Sequence, residues 1–190
     1  MTSRFPSPRI VRRVRLGTSA ADESTLVDVH LARRQLTGIH PASAIDERAD
    51  EGAAERATGG VIDGRGRLAL PGLVNTHAHV DKSWWGLPWQ SYGGEGGTEG
   101  RIRHERARRD ELGIAWQYAR ASGIVRDDDL RRVVDLATGA ATPFAGLPEG
   151  GLVVGARADI VLLDAENAMD ALVRTLPRDA VIAGGRLLVG

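Results

Sequence analysis

Apolar and polar positions roughly alternate from Arg9 to Leu16 and again from Thr25 to Leu31, with Ile10, Val11, Val14 and Leu16 in the first run and Leu26, Val27, Val29 and Leu31 in the second. A period of two sends alternate side chains to opposite faces, so both runs predict short, half-buried antiparallel strands. From Ala44 to Gly60 the chain is rich in Ala, Asp, Glu and Gly without an apolar period, which predicts a surface loop. Val61-Ile62 then lead into a tight turn at Asp63-Gly64. The apolar run from Leu68 to Val74 is interrupted by Pro71-Gly72, so one strand should end there and a second begin at Leu73-Val74-Asn75-Thr76-His77.

The middle of the chain changes character. Ser91 to Gly100 carries several glycines and predicts a flexible loop, while Thr98 to Leu112 is charged and helical in composition, with Thr98 placed to cap it. Asp127, Asp128 and Asp129 precede Leu130, Val133, Val134 and Ala137, an apolar stripe at helical spacing with acidic residues capping its start. Beyond Pro143, the segments Leu152 to Val154, Asp159 to Leu163, Ala180 to Ile182 and Leu187 to Val189 return to short β-like runs between Gly-rich turns. With β-rich ends and helices between, the fold class is mixed α and β.

Composition narrows the function classes. The 190 residues are 42% hydrophobic and 26% charged, as in a globular chain of one domain or two small ones. A complete (β/α)₈ barrel needs roughly 250 residues, and at least about 200, so the chain is too short for one plus any accessory domain. Net charge is zero, which removes the electrostatic footprint of a nucleic-acid or anionic-membrane binder. The Arg101 to Arg109 segment is interleaved with acidic residues and reads as a solvated helix face. Without cysteine, any metal must be held by nitrogen and oxygen. No apolar run resembles a signal peptide or a membrane span, so the expected address is the cytoplasm and the expected partner a small molecule.

His77-Ala78-His79 follows the apolar run. On a strand the two imidazoles would share one face about 7 Å apart at their Cα atoms and could ligate one metal. Such a pair also occurs at ordinary strand ends, so its context decides. The string Leu70-Pro71-Gly72-Leu73-Val74-Asn75-Thr76-His77-Ala78-His79-Val80-Asp81-Lys82 resembles the first barrel strand of the metal-dependent amidohydrolase superfamily, most closely its cytosine deaminase-like branch. The resemblance continues through Gly86-Leu87-Pro88-Trp89 and Arg108-Arg109-Asp110-Glu111-Leu112, like the loop and helix after that strand. It resumes at Asp129-Leu130, Ala137-Thr138 and Ala140-Ala141, similar to the last barrel helix. It then runs through Gly155-Ala156-Arg157-Ala158-Asp159-Ile160-Val161-Leu162-Leu163-Asp164 to a final hairpin at Val181-Ile182-Ala183-Gly184-Gly185-Arg186. Near Gly113 to Ala115 the similarity jumps from the first barrel helix to the last.

This resemblance implies an internally truncated amidohydrolase. Residues 9–70 and 150–190 would form a discontinuous small β-sandwich, with the termini close together. Residues 71–149 would be a barrel remnant, less stable than the sandwich and made of the first strand and helix plus the last helix. It implies a hydrolase or deaminase acting on non-peptide C–N bonds in cyclic amidines or amides, using a divalent metal, zinc or iron. His77 and His79 map onto the first two ligands, and Asp81 and Lys82 onto the active-site mouth. The later-strand ligands have no counterpart, so the metal site is incomplete, this chain should bind zinc weakly if at all, and activity is expected to be impaired or absent. His104 reads as a surface residue, His30 and His40 match no ligand position, and Trp84, Trp85 and Trp89 would pack the mouth loop. The alternatives from another class are a non-catalytic β-sandwich interaction module, self-associating through surfaces the missing barrel would have covered, and a deletion remnant without a selected role.

Overall fold

The computed structural model describes residues 7–18, 23–42, 60–74, 111–148 and 150–189. Strands β1 (Ile10–Leu16), β2 (Val27–Ala32), β3 (Gln35–Pro41), β4 (Val61–Asp63) and β5 (Leu68–Pro71) come first. Helices α1 (Glu111–Ala121) and α2 (Asp127–Ala137) and a 3₁₀ helix (Gly139–Ala145) follow. The chain closes with β6 (Ile160–Leu163), α3 (Ala168–Arg174), β7 (Arg178–Ala183) and β8 (Arg186–Val189).

The two ends of the chain meet in one eight-stranded sheet of order β3-β2-β1-β5-β6-β7-β8, with β4 also on β1. Their join is the antiparallel pair β5–β6, in register from Leu68↔Leu163 to Pro71↔Ile160. Both strands are buried along their whole length, because each faces a core on either side. Leu68, Leu70, Val161 and Leu163 turn toward the helices, packing with Leu112, Val133, Val134 and Leu172. Ala69, Ile160 and Leu162 turn the other way, onto Val11, Val14, Val29 and Leu36. Each buried aliphatic side chain contributes about 1.5–3 kcal/mol, so this alternation is what binds the two chain ends together. The expected sandwich is thus a single sheet folded over its own core. The fold is secured where β3 meets the segment before β6: Leu36 N–H donates to Ala156 O at 2.9 Å and Ala158 N–H to Arg34 O at 2.8 Å.

A bulge makes the folding-over achievable. The β1–β2 register shifts between Val11 and Val14, and Arg13 within the gap has φ 52°, a left-handed conformation that costs a β-carbon-bearing residue about 1–2 kcal/mol. A bulged strand bends and twists. Before the bulge β1 pairs in parallel with β4; after it the same edge pairs in parallel with β5. The buried Asp28 holds the bulge by accepting the Arg13 amide at 2.9 Å.

Several expectations are corrected. Strand β3 and helix α3 lie where the sequence pattern predicted no element. Asn167 caps α3 by accepting the Asp170 amide at 2.9 Å, a signal legible in an Asn three residues before an Asp. Residues 152–154 form bends and a turn instead of a strand, because Gly155 beside them adopts a positive φ of 91° and only Leu152 is buried. The acidic run does begin a helix, but its cap residue is Arg126 and no side chain caps it; Asp127, Asp128 and Asp129 occupy the first turn, where their charges complement the positive end of the helix dipole. Thr98 and residues 99–110 lie outside the described residues, and the helix described at Glu111 continues past Leu112 to Ala121. The jump in similarity near Gly113 to Ala115 therefore falls inside a helix.

Candidate functional site

The path toward the His-x-His pair is described up to Val74. Pro71, the last residue of β5, pairs with Ile160; it has no amide to donate, and β1 needs none from it because the β1–β5 ladder ends at Ala69. Gly72 donates to Asp159 O at 2.9 Å, and a β-carbon at position 72 would stand 2.7 Å from Asp159 Cβ, so only glycine fits this crossing. Leu73 then packs on the helical core, and Val74 N–H donates to Ala137 O at 2.9 Å, at the last turn of α2. His77, His79, Asp81 and Lys82 lie outside the described residues, as do His104 and the tryptophans at 84, 85 and 89.

Beside this path lies a cavity of about 940 Å³. It is bounded by the β2–β3 turn, the exit of β5, the start of α1, the loop after the 3₁₀ helix, and strands β6 and β7. The loop is pinned by Thr142, whose buried hydroxyl donates to Gly139 O at 2.8 Å and accepts the Gly150 amide at 2.6 Å. The charged groups on the wall are Arg33, Arg34, Arg157, Arg178, Glu111 and Asp159. Arg178 pairs with Glu111 at 3.2 Å, tying β7 to α1, and Arg157 pairs with Asp159 at 3.4 Å. The sequence reading missed these arginines. The Arg33-Arg34 doublet between two apolar runs was the available signal.

The Glu23 hydrogen bond, partly opposed by burial, raises the Arg131 pKa above its ordinary value; Glu23 also accepts the Ala168 amide at 3.2 Å, clamping α2 to the start of α3. Burial raises the Asp135 carboxyl, with Arg131 pulling against it. Asp63 is held below its ordinary 3.8: burial pushes it up, but the Arg13 hydrogen bond, the Arg65 amide and the charges of both arginines outweigh that. His30 and His40 meet edge-on across β2 and β3, ring centres 5.2 Å apart. Among the described residues no group of three or more His, Asp or Glu side chains could hold a metal ion, and no helix is long and apolar enough to cross a membrane.

No protein-family model matches the chain, and no curated protein matches it in sequence. Among solved structures it is similar to N-isopropylammelide isopropylaminohydrolase from Burkholderia multivorans ATCC 17616, with a TM-score of 0.64, 13% identity, and 95% of this chain and 97% of that one covered. It is also similar to 5-methylcytosine deaminase from Klebsiella pneumoniae, both liganded with 5-fluorocytosine (TM-score 0.63, 11% identity, 95% and 97% covered) and liganded with phosphonocytosine (0.63, 11%, 95% and 98%). Likeness at such low identity is likeness of fold. As far as its described residues run, the chain shares its fold with N-isopropylammelide isopropylaminohydrolase and 5-methylcytosine deaminase.

Proposed function

We propose that this chain is an amidohydrolase-type protein, by descent a metal-dependent hydrolase or deaminase of non-peptide C–N bonds in cyclic amidines or amides, internally shortened and impaired in activity. In this reading residues 9–70 and 150–190 are the discontinuous sheet domain and 71–149 the barrel remnant, with His77 and His79 as the first two metal positions and Asp81 and Lys82 at the mouth. The supporting observation is that segments similar to the first and last barrel units meet directly: α1 and α2 share one core, and Val74 is bonded to the end of α2. A closed (β/α)₈ ring also brings its first and last units together.

A divalent metal, zinc or iron, would polarise the substrate and activate a water at this position. A catalytic zinc takes three protein ligands and an open site, so two histidines leave it one ligand short. The described residues contribute the frame: Gly72 and Val74 fix the chain's exit from the sheet, toward the histidine pair. A second reading, a non-catalytic interaction module that self-associates, is favoured by the exposed Phe144, Val153 and Val154, which are 79%, 60% and 62% accessible.

Calorimetric titration of zinc into the wild type and the His77→Ala/His79→Ala protein tests the assignment, with ammonia release from 5-methylcytosine measured alongside. Weak zinc binding that disappears in the double variant, without turnover, is expected. Identical binding by both proteins would overturn the assignment of the histidines. Tight one-to-one binding with ammonia release would overturn the impairment.

A further inference from the structure

The β2–β3 turn is made of residues that its geometry disfavours. Ala32 and Gln35 face each other across the hairpin, leaving Arg33 and Arg34 as a two-residue loop with φ of 49° and 72°. Two consecutive positive φ angles are the pattern of a type I′ turn, for which Asn-Gly or Asp-Gly is the low-strain choice. Strain of this kind persists where the surroundings impose it and collects at functional sites. Neither guanidinium is used by the fold as an ion-pair partner: among the described residues no carboxylate pairs with Arg33 or Arg34, whereas Arg12, Arg67, Arg131 and Arg174 each hold one.

Both side chains line the cavity, together with Arg157. Arg34 and Arg157 converge on one point: the position a β-carbon on Gly184 would take is 3.2 Å from Arg34 Nε and 3.4 Å from an Arg157 terminal nitrogen. Gly184 is favoured twice, by its φ of 53° and by the room it leaves for the two guanidinium groups. The described carboxylate beside Arg157 is already engaged. Asp159 Oδ1 accepts the Gly184 amide at 2.6 Å, and its Oδ2 faces Arg157. The described wall carries four arginines and two carboxylates, Glu111 paired with Arg178 and Asp159 with Arg157, so Arg33 and Arg34 leave it net positive. Their planar donor forks fit the paired oxygens of a carboxylate or phosphate. Farther along, the wall is apolar, formed by Leu73, Val161, Val181 and Ile182 among others.

We infer that Arg33, Arg34 and Arg157 form an anion-binding subsite at one end of this cavity, which takes a small organic anion with an apolar body and a carboxylate or phosphate head. The inference goes beyond the proposed hydrolytic chemistry and does not depend on the histidine pair. The turn's strain provides a test in which binding and folding respond in opposite directions: Arg33→Asn/Arg34→Gly removes two of the charges while supplying the residues a type I′ turn prefers.

The experiment is calorimetric titration of the full chain with benzoate, phenyl phosphate and neutral benzamide, with thermal melting of each variant. At least one of the two anions should bind at one site, and benzamide at least tenfold more weakly; which anion binds better separates a carboxylate from a phosphate ligand. The double variant should lose at least tenfold in anion affinity and melt no lower than the wild type. Arg157→Gln, which leaves the turn intact, should show the same loss and decides the matter if the double variant melts lower. Benzamide binding as tightly as benzoate, anion affinity unchanged by Arg157→Gln, or no binding of either anion would overturn the inference.

Discussion

Asp28 should carry more of the fold than any other polar side chain of the sheet. It is 6% exposed, its Oδ1 accepts the amide of the strained Arg13 at 2.9 Å, and its Oδ2 lies 3.5 Å from Arg12 Nε. Replacing it with alanine removes the charged acceptor of the Arg13 amide from the bulge, a loss of about 1.5–3 kcal/mol. The Arg12 pair adds only about 0–1 kcal/mol, because the arginine side chain is 35% exposed and screened by solvent. Asp28→Ala is therefore expected to lower unfolding free energy by about 1.5–4 kcal/mol. Asp28→Asn keeps an acceptor but no charge and should lose about 1 kcal/mol. Urea unfolding at neutral pH, compared at a common m-value, measures both. A loss below about 0.5 kcal/mol for Asp28→Ala, within the range of an ordinary surface change, or equal losses for the two variants, would refute the argument that the bulge hangs on this carboxylate.

Further outcomes follow from the same structure. Asp63→Asn should destabilise the protein at neutral pH by at most about 1 kcal/mol, since the Arg13 pair is partly exposed. Because the folded-state pKa of Asp63 lies below its ordinary 3.8, that contribution is present above 3.8 and is lost as pH falls through the lowered value; a wild-type advantage persisting in strong acid would contradict it. Leu163→Ala, at a fully buried position between β5 and the helices, should cost about 2–5 kcal/mol in chemical denaturation, and a smaller loss would mean that the two chain ends are joined chiefly by backbone pairing. In amide hydrogen exchange, Val74 should exchange faster than Ile160–Leu163, which are buried on both faces; equal protection would count against residues 71–149 forming the less stable unit.

Patterning alone located most of the elements. Period-two alternation marked β1 and β2, the spacing of Leu130, Val133 and Val134 marked α2, and Pro71-Gly72 marked the end of β5. These are local properties, since a repeat of apolar positions reports which face of an element avoids water. The histidine pair and the neighbouring Asp81 and Lys82 also belong to the sequence reading, by resemblance. Strand β3 escaped it because its hairpin turns on Arg33-Arg34, without the Asn or Gly that signals such a loop. Residues 152–154 were misread because an apolar triplet does not reveal that the glycine after it turns the backbone.

Pairing was decided only in three dimensions. The register Leu68↔Leu163 joins residues far apart in the chain, and an all-apolar strand such as Leu68–Pro71 or Ile160–Leu163 carries no alternation to say which face meets which core. The bulge at Arg13 depends on Asp28 and on the glycines at 64 and 66, whose amides donate to Arg12 O and Arg13 O. The convergence of Arg34 with Arg157 arises because β3 folds back onto the segment before β6. Apolar periodicity can specify that a face is buried, but the partner that buries it is selected by competition among all such faces at once, and that selection placed the arginines in one cavity.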